Sequence, residues 1–330
     1  MCADTAIATT AANDRGKGIF ITILGNNSAL PAFGRHPTAQ VVTVNGQDVL
    51  LDCGEGTLMQ LQVYNIRWAR INHVFISHLH GDHYFGIFGL ITSLSLFGRV
   101  APFHIYAPAA LEGLIQNMLS VANTHLCFPL HFHALPEGAA LLVDEKTFSV
   151  SCFPVAHRIA THGFLVTAKT KGRKLLPEKA RAYQIPTYFY QRLKAGEDYE
   201  TKDGTIIKNE WVTEEGPHPL RYAYTADTVF TDSFLPYIAG VDCLYHESTY
   251  LSDNEEKAQA RFHSTARQAA EIARRAGVRL LLLGHYSSRY QQLDAFVAEA
   301  REVFASVIAT EEGRVYEVRL NAGEQDATAL

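Results

Sequence analysis

The alternation of apolar and polar positions divides this chain into short segments of different period. Alternating runs, or apolar runs closed by turn residues, predict strands at 18–25 (GIFITILG), at 39–44 and 48–53 around the Asn45-Gly46 turn, and at 73–78, 103–107 and 130–135. Further strands are predicted at 148–155, 163–168, 222–227, 242–247 and 278–285 (VRLLLLGH). Helical spacing takes over at 84–97, long and apolar, at 109–121, amphipathic, at 265–276, closed by Gly277, and at 292–304. Strands and helices in this order predict an α/β fold of stacked layers. The pattern breaks once, over 169–219, where Lys, Arg, Tyr, Pro and Gly concentrate between two strand-like runs. This reads as an insertion in a single domain.

Composition narrows the classes. At 47% hydrophobic residues the chain fills a sizeable core, and no run approaches the roughly 18 apolar residues of a membrane span. The first eighteen residues lack the apolar block of a secretory signal, so 1–18 reads as a flexible extension and the protein as cytoplasmic. Five widely spaced cysteines (Cys2, Cys53, Cys127, Cys152, Cys243) form no CxxC pair, which fits reduced thiols and leaves any metal to histidine and carboxylate. A net charge of −5 argues against a polyanionic partner until its distribution is read. Between His157 and Lys194 nine Lys and Arg face one acid, so this stretch carries +8 and the remainder −13. A basic segment on an acidic body can make phosphate contacts, but taken alone it reads more readily as a solvated amphipathic surface.

Chemistry concentrates in Ser77-His78-Leu79-His80-Gly81-Asp82-His83, between an apolar strand and a helix. On a turn leaving a strand alternate residues project together. His78 and His80 are thus placed to share one cation while Asp82 and His83 reach another, with Gly81 letting the loop bend between the pairs. Two cations need more donors than one loop holds, and each keeps a position for water. His157, Asp227 and His285 close strand-like runs farther along and supply the missing half; a carboxylate such as Asp227 bridges two cations as a neutral imidazole cannot. Asp52 reads as a carboxylate that fixes the loops carrying the histidines. His131 and His133 share a face of LHFHAL, but no acid or histidine follows nearby, so they stay outside the metal set.

The HxHxDH core resembles that of the metallo-β-lactamase superfamily, which implies a four-layer αββα sandwich over 19–330. Within it ILGNNSALP, LLDCGEGTLMQLQ, ISHLHGDHYFGIFGLITSLSLFGR, YTADT, HEST, FHSTARQAA and GHYSSRY resemble, in order and spacing, the ribonuclease Z family, endoribonucleases that remove the 3′ trailer of precursor tRNA. The resemblance implies two Zn2+ per subunit: His78, His80 and His157 on one, Asp82, His83 and His285 on the other, and Asp227 bridging. It makes Asp82 also the base for the attacking water, with products ending in a 3′-hydroxyl on the tRNA and a 5′-phosphate on the trailer. It assigns the proton of the leaving 3′ oxygen to His263, steered by Glu247. Without the resemblance, these two read as a residue beside a helix start and a buried carboxylate tying loops.

The same resemblance makes the insertion, at about 165–215, a tRNA-binding arm that holds phosphates without reading bases, and it implies a homodimer. One departure stands out: Ile185-Pro186-Thr187-Tyr188-Phe189-Tyr190 occupies the place of an expected Gly-Pro-rich turn, where tyrosines can stack on bases or pack on the arm's own helix. Ser287, Ser288 and Arg289 follow His285 closely enough to touch phosphate oxygens, or form an ordinary turn. Two competing readings remain. A hydrolase of small phosphodiesters or thioesters on the same fold, such as a cyclic-nucleotide phosphodiesterase, needs the metal ligands but no arm. A non-catalytic RNA-binding protein needs neither the ligand set nor a proton donor.

Overall fold

The computed structural model describes residues 17–170 and 172–318. The extension expected over 1–18 lies outside the described residues except for Lys17 and Gly18. Two compact units divide the chain, with Lys169–Pro219 forming the second.

In the first unit, β1 (Ile19–Gly25), β2 (Ala39–Val44), β3 (Gln47–Leu51), β4 (His73–Phe75), β5 (Phe103–Ala107) and β6 (Leu130–Ala134) lie side by side in one sheet. The second sheet holds β7 (Ala140–Asp144), β8 (Phe148–Val155), β9 (Thr161–Ala168), β10 (Leu220–Tyr224), β11 (Cys243–Glu247), β12 (Leu280–Gly284) and β13 (Val307–Ala309), again in chain order. The last strand, β14 (Val315–Val318), returns to the first sheet beside β1. Each sheet is half antiparallel and half parallel: β3 to β6 and β10 to β13 run parallel to their neighbours. Parallel neighbours need crossovers, and helices supply most of them.

Apolar periodicity explains the layers. Ile21, Val42, Phe75, Phe164, Tyr224 and Leu282 meet between the sheets. Helices α1 (Thr57–Val63), α3 (Ile87–Leu96) and α4 (Ala110–Val121), with the short α2 (Gly81–Tyr84) preceding α3, belong to the first sheet. Its outer face packs on Leu61, Ile87, Leu90 and Leu111. The outer face of the second sheet packs on Ala269, Ile272 and Phe296 of α5 (Ala266–Ala276) and α6 (Asp294–Arg301). This is the expected αββα sandwich.

Two local expectations change. The single helix at 84–97 is instead interrupted at Gly86, whose N–H donates to the Cys53 carbonyl at 2.8 Å. A Cβ at Gly86 would stand 2.2 Å from the Gly54 oxygen, so the loop after β3 presses where only glycine fits. The short elements Thr57–Val63, β7, β13 and β14 went unpredicted, because three to seven residues give too little period to register.

The second unit has its own small core of Ile185, Phe189, Leu193, Ile207 and Val212. The segment at 185–190 is therefore divided in its use: Ile185 and Phe189 are buried, Tyr190 packs against them, and Tyr188 is exposed. Charge also looks different over the whole unit. Ten Lys and Arg from 169 to 219 face eight Asp and Glu, a net of +2. Arg181, Arg192, Lys174 and Lys208 pair with Glu178, Glu197, Glu214 and Asp198 of the same unit. Among the described residues no helix is long and apolar enough to cross a membrane.

Candidate metal centre

Strand direction brings the chemistry to one edge. The loops leaving β3, β4, β8, β10 and β12 carry Asp52, His78 to His83, His157, Asp227 and His285, and β11 ends in Glu247. Parallel neighbours finish on the same side of a sheet, so residues distant in sequence meet there. The backbone is held tightly at this edge. Asp52, Ala226, Phe262 and His285 all adopt left-handed conformations, with φ of 56°, 55°, 60° and 59°, which cost a non-glycine residue on the order of 1 kcal/mol and persist where surrounding contacts enforce them.

Each ring is oriented from outside. His83 donates from Nδ1 to Oδ2 of Asp52 at 2.7 Å, and His78 from Nδ1 to Oγ of Ser77 at 3.0 Å. His157 donates from Nδ1 to the Phe262 carbonyl at 2.8 Å, and His285 from Nδ1 to Oγ1 of Thr249 at 3.0 Å. Four Nε2 lone pairs therefore face inward. His80 is reversed: its Nδ1 lies 2.9 Å from Nε2 of His78 and 3.2 Å from Nε2 of His157. Asp52 anchors this frame, accepting also from Ser77 N (2.7 Å), Ser77 Oγ (2.9 Å) and the Tyr224 hydroxyl (2.6 Å).

Asp227 stands between two groups of donors. Its Oδ2 is 3.6 Å from Nε2 of His78 and 3.9 Å from Nε2 of His157; its Oδ1 is 3.4 Å from Nε2 of His83 and 3.2 Å from Nε2 of His285. Asp82 lies with the second group, Oδ2 being 3.6 Å from Nε2 of His83 and 3.4 Å from Nε2 of His285, while it accepts the Ala29 N–H at 2.7 Å. The convergent sets are thus His78, His80, His157 and Asp227, and Asp82, His83 and His285, with Asp227, His263 and His285 overlapping them. Burial pushes the Asp227 carboxyl up, but His285 and His83 outweigh it and hold the group well below the usual range.

The donor chemistry fits divalent cations. Nε2 of His83, Nε2 of His285 and Oδ1 of Asp227 are buried without a hydrogen-bond partner among the described residues, an arrangement that costs on the order of 1–3 kcal/mol per atom if left so. Inward lone pairs repel unless positive charge lies between them. Nitrogen and oxygen donors without thiolate suit zinc and other borderline divalent ions; among the described residues Cys53, Cys152 and Cys243 are buried, free and outside these sets.

Beside this centre Glu247 is fully buried and saturated. Oε1 accepts from Nδ1 of His263 (2.9 Å), Ser264 N (3.1 Å) and Thr228 N (3.2 Å), and Oε2 from Thr249 N (3.0 Å) and Oγ1 (2.7 Å). Burial works against a charged imidazole at His263, yet Glu247 prevails and raises it to about 9. The FHST segment is pinned by the capping box of Thr265 and Gln268 at the start of α5. His263 lines a cleft of ≈ 760 Å³ with His80, Asp82, His157 and Asp227.

Three orienting groups escaped the sequence reading. Ser77 and Thr249 sit inside SHLHGDH and HEST, so their place in those motifs was the available signal. The Phe262 carbonyl is backbone and left none. Conversely, Ser287 is buried and pairs with Ser28, and Ser287, Ser288 and Arg289 are absent from the lining of this cleft. His131 and His133 lie on β6, away from the convergent sets.

Comparison with known proteins agrees with this geometry. A family described as the anti-Pycsar protein Apyc1 matches residues 19–159, less than half of the chain. The ribonuclease Z of Porphyromonas gingivalis is 40% identical over 293 residues, covering 88% of this chain and 96% of that protein. The ribonuclease Z of Parabacteroides distasonis is 40% identical over 294 residues, 89% of this chain and 97% of that one. The crystal structure of human tRNase Z, short form, is 27% identical with a TM-score of 0.66, over 91% of this chain and 100% of that chain. The metallo-β-lactamase fold protein YhfI from Bacillus subtilis, 20% identical with a TM-score of 0.64 over 91% of this chain and 98% of that one, shares the fold.

Proposed function

The chain belongs to the ribonuclease Z family, and we propose that it cleaves the 3′ trailer from precursor tRNA using two zinc ions per subunit, leaving a 3′-hydroxyl on the tRNA and a 5′-phosphate on the trailer. As a family member it is a metal-dependent phosphodiester hydrolase of the endoribonuclease type. In this reading His78, His80 and His157 hold one ion, Asp82, His83 and His285 the other, and Asp227 reaches both. Bound there, the ions supply positive charge for the phosphodiester oxygens and acidify water. Asp82 takes the proton of the attacking water. His263 gives a proton to the departing 3′ oxygen, and Glu247 keeps that ring charged and aimed. The observation that carries the reading is Asp227, a buried carboxylate with one oxygen turned towards each donor group.

Lys169–Pro219 serves as the tRNA-binding arm in this reading, on the sandwich domain of 19–330. Its internal ion pairs leave the phosphate contacts to exposed residues outside them, such as Lys179 and Lys194. The thiols of Cys53, Cys127, Cys152 and Cys243, free among the described residues, support a reducing compartment, and we place the enzyme in the cytoplasm, as a homodimer on the family's pattern.

The test is incubation of the purified, zinc-loaded protein with a trailer-bearing precursor tRNA, with and without chelator, mapping the cut and its end groups. A chelator-sensitive cut with the stated ends is the expected result. No cut, with a small phosphodiester still hydrolysed, would instead select the small-molecule hydrolase.

A further inference from the structure

The rim of the cleft carries chemistry that hydrolysis alone leaves unused. Phe262, directly before His263, keeps 40% of its surface exposed, and its ring stands edge-on to that of His157, with centroids 6.4 Å apart. Its backbone is left-handed, φ 60°, a conformation that favours glycine. The carbonyl of Phe262 orients His157, but any residue's carbonyl does that, and glycine's with less strain. The side chain needs a separate explanation.

Arg158 follows His157 and lines the same cleft. Among the described residues it pairs with no carboxylate, and its polar contact is from Nη2 to Nε2 of His80 at 3.0 Å. That contact uses the lone pair on Nε2. Once His80 turns its Nδ1 lone pair to a cation, Nε2 must carry the ring proton and no longer accepts from a guanidinium. With a cation held at Nδ1 of His80, Arg158 would be free to meet an anion.

We propose that Phe262 and Arg158 form a nucleotide subsite: the ring stacks on the base of the nucleotide whose 3′ oxygen departs, and the guanidinium takes oxygens of a phosphate next to the scissile one. The inference rests on the proposed RNA hydrolysis, because the side is set by His263, the neighbour of Phe262 that protonates the departing oxygen. Aromatic stacking tolerates any base, and the planar fork of arginine matches phosphate oxygens. The pair thus suits the unpaired end of an RNA rather than a defined sequence.

The subsite is tested with precursor tRNAs carrying 2-aminopurine immediately upstream or downstream of the cut, mixed by stopped flow with the full-length zinc-loaded protein. Quenching reports stacking before cleavage, and cleavage is followed in the same samples. The upstream probe is quenched by wild type and by Phe262→Tyr but not by Phe262→Ala. Phe262→Ala and Arg158→Ala lower kcat/KM by about ten-fold or more, Arg158→Lys recovers part of the loss, and zinc content stays at the wild-type level. Quenching confined to the downstream probe, quenching retained in Phe262→Ala, or zinc lost from that variant would overturn the subsite. If both alanine variants cut like wild type, the subsite falls and the proposed function stands; if wild type neither binds nor cuts the precursor, both fall.

Discussion

Two regions of this protein are crowded with histidine, and only one gathers metal donors. At the centre, His78 and His80 from one loop meet His157 from another, and their ring planes cross at 84°, 69° and 82°. At the β6 edge of the first sheet, His73, His104, His131 and His133 come from adjacent strands. There His104 stacks nearly parallel to His73 (19°), His131 (22°) and His133 (20°). Strand register holds these rings face to face or edge to edge, so their lone pairs run parallel or meet a neighbour's N–H. Nδ1 of His104 lies 3.0 Å from Nε2 of His133. None of the four is within ion-pair distance of a carboxylate among the described residues, and none joins a convergent donor group. Histidine density does not make a metal site; crossing planes and carboxylates do.

The comparison breaks most visibly at Asp227. Asp227→Ala removes the carboxylate shared by both donor groups, and turnover on precursor tRNA should fall by more than about a thousand-fold, with metal lost on elemental analysis. A variant that keeps both metals and most of its rate would contradict the shared role. His263→Ala should slow cleavage by about 10²–10³-fold while both ions remain bound; metal loss in that variant would move His263 from proton donor to ligand.

Smaller effects sharpen the contrast. Thr249→Val leaves Nδ1 of His285 without its acceptor, and zinc affinity measured by competition with a chelating dye should weaken by about 10–100-fold. His104→Ala, at the stacked edge, should leave zinc stoichiometry unchanged. Smallest is a stability effect of pH. Burial, with His104, His133 and Arg99 nearby, lowers His73 to about 4, below the roughly 6.5 of a free imidazole. The folded state thus binds fewer protons there, so this contribution to stability is complete above pH 6.5 and is lost as pH falls towards 4. His73→Phe should flatten the thermal-stability profile across that window by ~1–2 kcal/mol, a range discounted for the ring's partial solvation. An unchanged slope would mean that other groups carry the acid sensitivity.

Much of this was legible beforehand. The long strands and α4 and α5 follow from period alone, and the layered α/β class follows from their order. His78, His80, Asp82 and His83 stand out because four donors in six residues after a buried strand form one local pattern. The interruption at Gly86 was illegible, because its cause is a backbone from another loop. The net basicity assigned to 157–194 was a matter of framing: acids that pair with its Arg192 and Lys174 lie just beyond it, at Glu197 and Glu214.

What the sequence determined by itself was therefore local: element periods, the donor-rich loop, and the caps and turns that close each strand. What only the tertiary structure decided was orientation. Whether Nδ1 or Nε2 of a ring faces inward depends on Asp52, Thr249 and the Phe262 carbonyl, which lie 31, 36 and 105 residues from the rings they orient. Whether histidines converge or merely stack depends on whether loops or neighbouring strands present them. A chain read in one dimension holds the donors, but the direction of a lone pair exists only in three.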